Sequence, residues 1–216
     1  LIPLPEGTSY NSYLVKGAAK TALLDSADPG KREVLFDFLK DIKTLDYIVS
    51  HHAEQDHSGS IPLVLEKYPM AKVVTNPKCK ELLMSHLHIP ADKFIEVKDG
   101  ETLDLGGKTL QFLYTPWVHW PETMSTWLKE DGVLFSCDLF GSHLATGAVF
   151  SEEHVVHDPM KRYYAEIMMP FRTSVNGNLE KIKDLDIRTI APSHGPVHRN
   201  AKFVIGLYRD WAGAGT

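Results

Sequence analysis

Cysteine is scarce in this sequence, and its scarcity bears on the compartment of the protein. The 216 residues contain two cysteines, Cys79 and Cys137, which lie far apart and form no C-x-x-C pair. No disulfide framework is predicted from such a set, and two reduced thiols are typical of a cytosolic protein. We therefore predict a cytoplasmic protein.

Long apolar runs and basic clusters are also absent. No run approaches the roughly 20 apolar residues that cross a bilayer, so the sequence predicts no membrane span. The formal net charge is −5 at pH 7 and no basic stripe is present, which argues against nucleic acid or an anionic membrane as a partner. There is no internal repeat or Ser/Gly linker, and the length suits one domain, predicted over residues 1–216.

Short strands alternate with helices along the chain. Asp131-Gly132 is a hairpin signal within a series of nine β-like runs: 12–16, 21–25, 47–50, 72–75, 94–97, 108–115, 126–129, 133–136 and 189–191. A helix is predicted over 61–68, with Pro62 in its first turn. Helical spacing of apolar residues predicts three more helices packed on sheets: Val34, Leu35, Phe38 and Leu39; Met160, Tyr163, Tyr164, Ile167, Met168 and Phe171; Phe203, Val204, Leu207, Tyr208 and Trp211. This pattern predicts an α/β (α+β) fold with two mixed β-sheets packed together and flanked by helices.

The most informative segment is His-His-Ala-Glu-Gln-Asp-His-Ser at residues 51–58, directly after the apolar strand at 47–49. A strand that ends in such a loop can aim alternate side chains into one polar pocket. Four side chains of the segment can bind a metal: His52, Glu54, Asp56 and His57. Two imidazoles and two carboxylates are too many for one structural zinc and suit two adjacent ions. The alternative is a solvated polar loop with chance histidines.

Three later segments argue against that alternative, because each is an apolar run that leads to a ligand-type residue. These residues are His119, Asp138 and His194. Two ions that share one bridging carboxylate would use all four histidines and all three carboxylates. Asp138 is the natural bridge, since a carboxylate has two oxygens to divide between two ions.

The spacing His-x-Glu-x-Asp-His, followed by a distant His, Asp and His, resembles the metallo-β-lactamase superfamily and, within it, the flavodiiron proteins. Segments 5–13, 115–124, 136–141 and 192–195 are also similar to that family, so the resemblance covers essentially the whole chain. It implies a metallo-β-lactamase-like αββα sandwich with two iron ions. One iron is assigned to His52, Glu54, His119 and Asp138, and the other to Asp56, His57, Asp138 and His194. Asp138 would bridge the irons together with an oxo or hydroxo group.

Glu54 distinguishes this run from that of the hydrolytic members of the superfamily, which typically carry histidine there and bind two zinc ions. A carboxylate adds negative charge and a hard oxygen donor, which favours iron. Zinc has no redox chemistry and could act in this site only as a Lewis acid. Glu54 therefore predicts a diiron centre, with a dizinc hydrolase as the lesser alternative.

The resemblance implies a protein that reduces O₂ to water or NO to N₂O. Flavodiiron proteins are usually homodimers whose chains continue into a flavodoxin-like domain with FMN. This chain stops just after the 203–211 helix, has no phosphate loop after a strand, and begins short of the family's opening strands. We therefore predict no FMN in this chain, and electrons from a separate flavodoxin-like or rubredoxin-like donor. An O₂-binding or O₂-sensing protein with little turnover is the main alternative.

Further predictions concern residues in and around the ligand set. Glu54, Asp138 and His143 are predicted as catalytic, with His143 lining a distal pocket or serving as an ordinary loop residue. His51 is predicted to point away from the metals, and Cys137 to face away as core filler. Tyr10 and Trp120 either flank the site or pack in the core. The remaining histidines are predicted at the surface or at helix caps: His86, His88, His154, His157 and His198.

Overall fold

The computed structural model describes residues 3–213, so the outermost residues of the predicted domain, 1–2 and 214–216, lie outside the described residues. The described residues form ten strands: β1 (Tyr13–Lys16), β2 (Thr21–Leu24), β3 (Tyr47–Val49), β4 (Lys72–Thr75), β5 (Phe94–Glu96), β6 (Thr102–Asp104), β7 (Thr109–Tyr114), β8 (Met124–Leu128), β9 (Val133–Cys137) and β10 (Thr189–Pro192). Seven α-helices lie in the same part of the chain: α1 (Arg32–Phe38), α2 (Gln55–Ser58), α3 (Ile61–Lys67), α4 (Pro77–Leu87), α5 (Glu153–Tyr163), α6 (Arg172–Ile182) and α7 (Ala201–Gly213).

The strands form two mixed five-stranded sheets. The first has the order β1-β2-β3-β4-β5, with β1 antiparallel to β2 and the other neighbours parallel. The second has the order β10-β9-β8-β7-β6, with β10 parallel to β9 and the other neighbours antiparallel. Gly132, at φ +62°, closes the β8–β9 hairpin at the predicted Asp131-Gly132 turn. The predicted αββα sandwich is confirmed.

Both faces of the central strands are apolar because both are covered. On β3, Ile48 packs in a cluster with the helices α1, α3 and α4, whereas its neighbour Val49 packs in the cluster between the sheets. On β9, Leu134 faces the cluster around α5, α6 and α7, and Phe135 faces the other sheet. Successive side chains of a strand point to opposite faces, so a strand covered on both sides becomes a continuous hydrophobic run.

Some local predictions are wrong. The strand β6 and the helices α2, α4 and α6 were not predicted. In α1, Val34 is 57% and Phe38 is 79% exposed, while Leu35 and the residue after the helix, Leu39, are buried, so two of the four residues of the predicted apolar face lie at the surface. Inside the helix predicted through 160–171, α5 ends at Tyr163 and is followed by a π-helical segment, Tyr164–Met168. This wider turn shifts the helical phase, and both Tyr163 and Tyr164 are buried.

No helix within residues 3–213 is long and apolar enough to cross a bilayer.

Candidate metal centre

The ligand-type residues lie at one edge of the sandwich because several strands end there. In the second sheet β9 and β10 are parallel, with Cys137 opposite Pro192, so Asp138 and His194 follow at the same level. Strand β7 runs in the same direction as β9, since both are antiparallel to β8, and its following loop carries His119. In the first sheet, β3 ends at Val49 and leads to the run of residues 51–58.

One group of side chains surrounds the first candidate metal position, called position 1 below. It consists of His52, Glu54, His119 and Asp138, whose ligand atoms lie within 4.8 Å of one another. Oε2 of Glu54 lies 3.1 Å from Nε2 of His52 and 3.4 Å from Nε2 of His119. Oδ2 of Asp138 lies 3.5 Å and 3.7 Å from the same two nitrogens.

A second group forms position 2 on the other side of Asp138. Asp56, His57 and His194 have ligand atoms within 4.8 Å of one another. Oδ1 of Asp138 lies 3.2 Å from Nε2 of His57 and 3.0 Å from Nε2 of His194. The two oxygens of Asp138 therefore face different groups, as a bridging carboxylate requires. The short helix α2 carries Asp56 and His57 in a single turn and directs both toward His194.

The donor atoms fit a pair of metal ions. Atoms bound about 2.0–2.2 Å from one ion are themselves roughly 3–3.6 Å apart, close to the separations in both groups. Asp56 Oδ1, His57 Nε2 and Asp138 Oδ2 are buried and have no hydrogen-bond partner. Buried polar atoms are normally satisfied, so these three indicate that a cation completes the site.

Negative charge holds protons on His52 and His57 when no ion is bound. Burial opposes the charged form of His52, but hydrogen bonds to Glu122 and Glu54 outweigh it and raise its pKa to about 10. Burial likewise opposes the charged form of His57, but Asp138 raises its pKa to about 9. A metal ion would take the place of these protons, so binding is expected to release them.

The other ring nitrogens of His52, His57 and His194 contact the surrounding protein. His52 Nδ1 lies 2.7 Å from Oε1 of Glu122, and His194 Nδ1 lies 3.0 Å from the Ser9 carbonyl oxygen. His57 Nδ1 lies 3.9 Å from Sγ of Cys137. Cys137 therefore packs behind His57, on the side away from the nitrogen that faces the metal position. Such outer contacts fix the orientation and tautomer of metal-binding imidazoles.

The structure brings all seven sequence-predicted ligands together, whereas His143 stands outside both groups. The His143 ring centroid lies 6.3 Å from that of His194 and 4.8 Å from that of Tyr163. Burial lowers its pKa to about 4, so the ring is neutral at neutral pH. Tyr163 in turn donates a hydrogen bond of 3.3 Å to Oδ1 of Asp138.

The aromatic and remaining histidine predictions have mixed outcomes. Tyr10 stands edge-on to His194, and Trp120 stands edge-on to His52, so both flank the site. His51 points away from the metals, to Asp25 and Thr126, as predicted. His198 is not a surface residue: it is 4% exposed, and its Nε2 lies 3.3 Å from the Phe140 carbonyl oxygen.

Glu122 and Asp25 were not singled out from the sequence, although both contact histidines of the 51–58 run. Two signals were available for them. Glu122 lies in the 115–124 segment, and Asp25 ends a strand run in the same way as the predicted ligands do.

Comparisons with known proteins identify the family of this chain. A family described as "ODP family beta lactamase" matches residues 8–195. The coenzyme F420H₂ oxidase of Methanothermobacter marburgensis is 37% identical over 96% of this chain and 55% of its own length. The anaerobic nitric oxide reductase flavorubredoxin of Aliivibrio fischeri is 37% identical over 97% of this chain and 44% of its own length.

A solved structure extends the comparison to the fold. The rubredoxin oxygen:oxidoreductase of Desulfovibrio gigas superposes with a TM-score of 0.92 at 32% identity, over 97% of this chain and 55% of that one. The chain thus spans about half the length of the proteins it matches. This chain belongs to the ODP family of β-lactamase-like proteins and has the metallo-β-lactamase-like domain of flavodiiron proteins.

Proposed function

We propose that this chain holds two iron ions and reduces O₂ to water or NO to N₂O with electrons from a separate donor. The observation that carries the proposal is the seven-donor set, in which each oxygen of Asp138 faces a different group. Relatives named as an oxidase and a nitric oxide reductase support the reaction class. When bound, ferrous ions supply electrons to the diatomic substrate.

The side chains differ in exposure, and this difference gives the site a direction of entry. The Asp138 side chain lies at the floor of the site and is 1% exposed, whereas the side chains of Glu54 and His119 are 40% and 21% exposed. We place the entry of a small gas on the side of Glu54 and His119. The Trp120 ring lies against His52 and His119 and would exclude bulk water from that part of the site.

Three groups would position protons and charge within the site. Tyr163 donates to Oδ1 of Asp138 and would keep that oxygen oriented toward position 2. The neutral His143 ring would line the distal side next to Tyr163 and His194. Glu54 gives position 1 a second carboxylate beside Asp138, which favours iron over zinc.

The partner and compartment belong to the same proposal. A flavodoxin-like or rubredoxin-like protein would donate electrons, and the chain would act in the cytoplasm as part of a homodimer. The alternative is an O₂-binding or O₂-sensing protein with the same iron site and little turnover. A dizinc hydrolase is disfavoured by Glu54, since the carboxylate replaces a nitrogen donor.

The test begins with metal content and continues with O₂. The protein is loaded anaerobically with ferrous iron, analysed for bound iron and zinc, mixed with O₂ without a donor, and followed by its absorption spectrum. Two irons per chain, and rapid formation of a diferric state that a reduced flavodoxin or rubredoxin re-reduces, would support the reductase. A coloured O₂ adduct that persists for many seconds would support the O₂ binder. Preferential zinc binding would overturn the diiron proposal.

A further inference from the structure

Glu122 makes the closest contact to any imidazole of the site from outside the ligand set. Its Oε1 lies 2.7 Å from Nδ1 of His52, and both side chains are completely buried. Because Nε2 of His52 faces position 1, Nδ1 carries the hydrogen and donates a hydrogen bond to the carboxylate. A carboxylate partner fixes the tautomer of a metal-binding imidazole and raises its basicity.

The imidazoles of position 2 have weaker partners. His194 faces a neutral backbone carbonyl, that of Ser9, and His57 faces the thiol of Cys137 at 3.9 Å. Hydrogen bonds to an ionised acceptor are roughly twice as strong as neutral ones. The two metal positions therefore share Asp138 but differ in the groups behind their histidines.

Glu122 is itself held rigidly by neighbouring segments. The same Oε1 accepts the backbone N–H of Ala53 at 3.1 Å. Its carbonyl oxygen accepts from Nδ2 of Asn76 at 2.6 Å, and Asn76 caps the start of α4. The second carboxylate oxygen, Oε2, is buried without a hydrogen-bond partner, so the hydrogen bonds of this carboxylate are those of Oε1 to His52 and Ala53.

We infer that Glu122 is a positioning residue that orients His52 and strengthens metal binding at position 1, so that the two positions bind metal unequally. This inference rests on the proposed metal centre. It adds to that centre a residue that touches neither metal nor substrate. Loss of such outer partners typically weakens metal binding about 10- to 100-fold, and the loss should fall on one of the two ions.

The experiment uses Co²⁺ as the probe and the Glu122→Gln variant. Glutamine keeps the shape and an acceptor oxygen for His52 and Ala53, but removes the charge. Metal-free protein is titrated with Co²⁺ against a competing chelator, and proton NMR records the exchangeable imidazole N–H signals shifted by the bound ions. Glu130→Gln is the matched control. Glu130 also accepts a backbone N–H, that of Thr109, but at the far end of β8.

We expect Glu122→Gln to weaken the binding of one of the two Co²⁺ ions about 10- to 100-fold. One imidazole N–H signal should shift and should exchange faster with solvent. Glu130→Gln should bind both equivalents as the unaltered protein does. If the affinities for both Co²⁺ ions fell equally, or if neither fell, the inference would be overturned but the proposed metal centre would not. If the unaltered protein bound fewer than two Co²⁺ ions, the proposed function would fail as well.

A measurement on the unaltered protein guards against misfolding of the variant. The His52 N–H is buried and bound to Glu122, so its shifted signal should exchange slowly with solvent. Absence of any slowly exchanging imidazole N–H signal in the Co²⁺-loaded protein would overturn the inference without use of the variant.

Discussion

Asp25 holds His51 through two hydrogen bonds. Its Oδ1 accepts the backbone N–H of His51 and its Oδ2 contacts the ring Nδ1, each at 2.8 Å. The far side of the ring, Nε2, lies 2.7 Å from Oγ1 of Thr126 on β8. This buried chain links the first sheet to the second directly behind the 51–58 run, and it fixes the backbone from which His52 extends.

Replacing Asp25 with alanine should lower the free energy of unfolding by about 3 kcal/mol, since it leaves buried donors of His51 unpaired. Denaturant unfolding of the metal-free protein measures this loss. Asp25 adopts a positive φ of 56°, which asparagine tolerates, so Asp25→Asn should lose less. Asp37→Ala, which removes an exposed pair with Lys40, should change stability by less than about 1 kcal/mol. Equal losses at Asp25 and Asp37 would contradict the buried network.

Asp138→Asn should weaken metal binding at both positions, because each carboxylate oxygen faces a different group. An amide has one oxygen and carries no charge, so it cannot serve two cations equally. Bound iron per chain, measured after dialysis against a chelator, should fall from two toward none. Asp56→Asn is the matched comparison and should affect position 2 alone. Retention of one tightly bound ion in Asp138→Asn would argue against a bridging role.

Glu54→His should shift the metal preference toward zinc, because it replaces a hard, charged oxygen with a nitrogen donor. Competition between Fe²⁺ and Zn²⁺ under anaerobic conditions, read out by metal analysis, measures the shift. The exposed side of the site should tolerate the larger ring, since the Glu54 side chain is 40% exposed. Tight iron binding with unaltered O₂ reactivity in this variant would count against our account of metal selectivity.

His198 should make the metal-free protein less stable in mild acid. Burial lowers its pKa from 6.5 to about 4, so the unfolded chain takes up a proton at a pH where the folded protein does not. His198 has no effect of this kind well above pH 6.5, and its protonation in the unfolded chain lowers the free energy of unfolding as the pH falls toward 4, by about 3 kcal/mol in total. Unfolding free energies measured across this range should therefore fall more steeply for the unaltered protein than for His198→Gln. Parallel profiles would show that His198 is not responsible.

The ligand set could be predicted from the sequence because every ligand lies in a segment that follows the end of a strand. His52, Asp138 and His194 lie only a few residues beyond the apolar runs that place them, and strands of compatible direction bring their ends to one edge. The apolar character of both strand faces, as in Ile48 and Val49, likewise indicated sheets covered on two sides. Both features depend on residues that are close together in the sequence, so a single segment is enough to predict them.

Tertiary packing alone decided the contacts around those ligands. Glu122 reaches His52 across 70 positions of the sequence, and Asp25 reaches His51 across 26, so neither partnership leaves a trace in local spacing. The burial of His198 and the exposure of Phe38 depend on which neighbouring elements cover each side chain. The sequence by itself determined which groups can bind metal, because that is a property of residue type and strand position. Which carboxylate stands behind which imidazole follows from tertiary packing: Asp25 and His51 follow the neighbouring strands β2 and β3 of the first sheet, whereas Glu122 precedes β8 of the second sheet and reaches His52 across the two sheets.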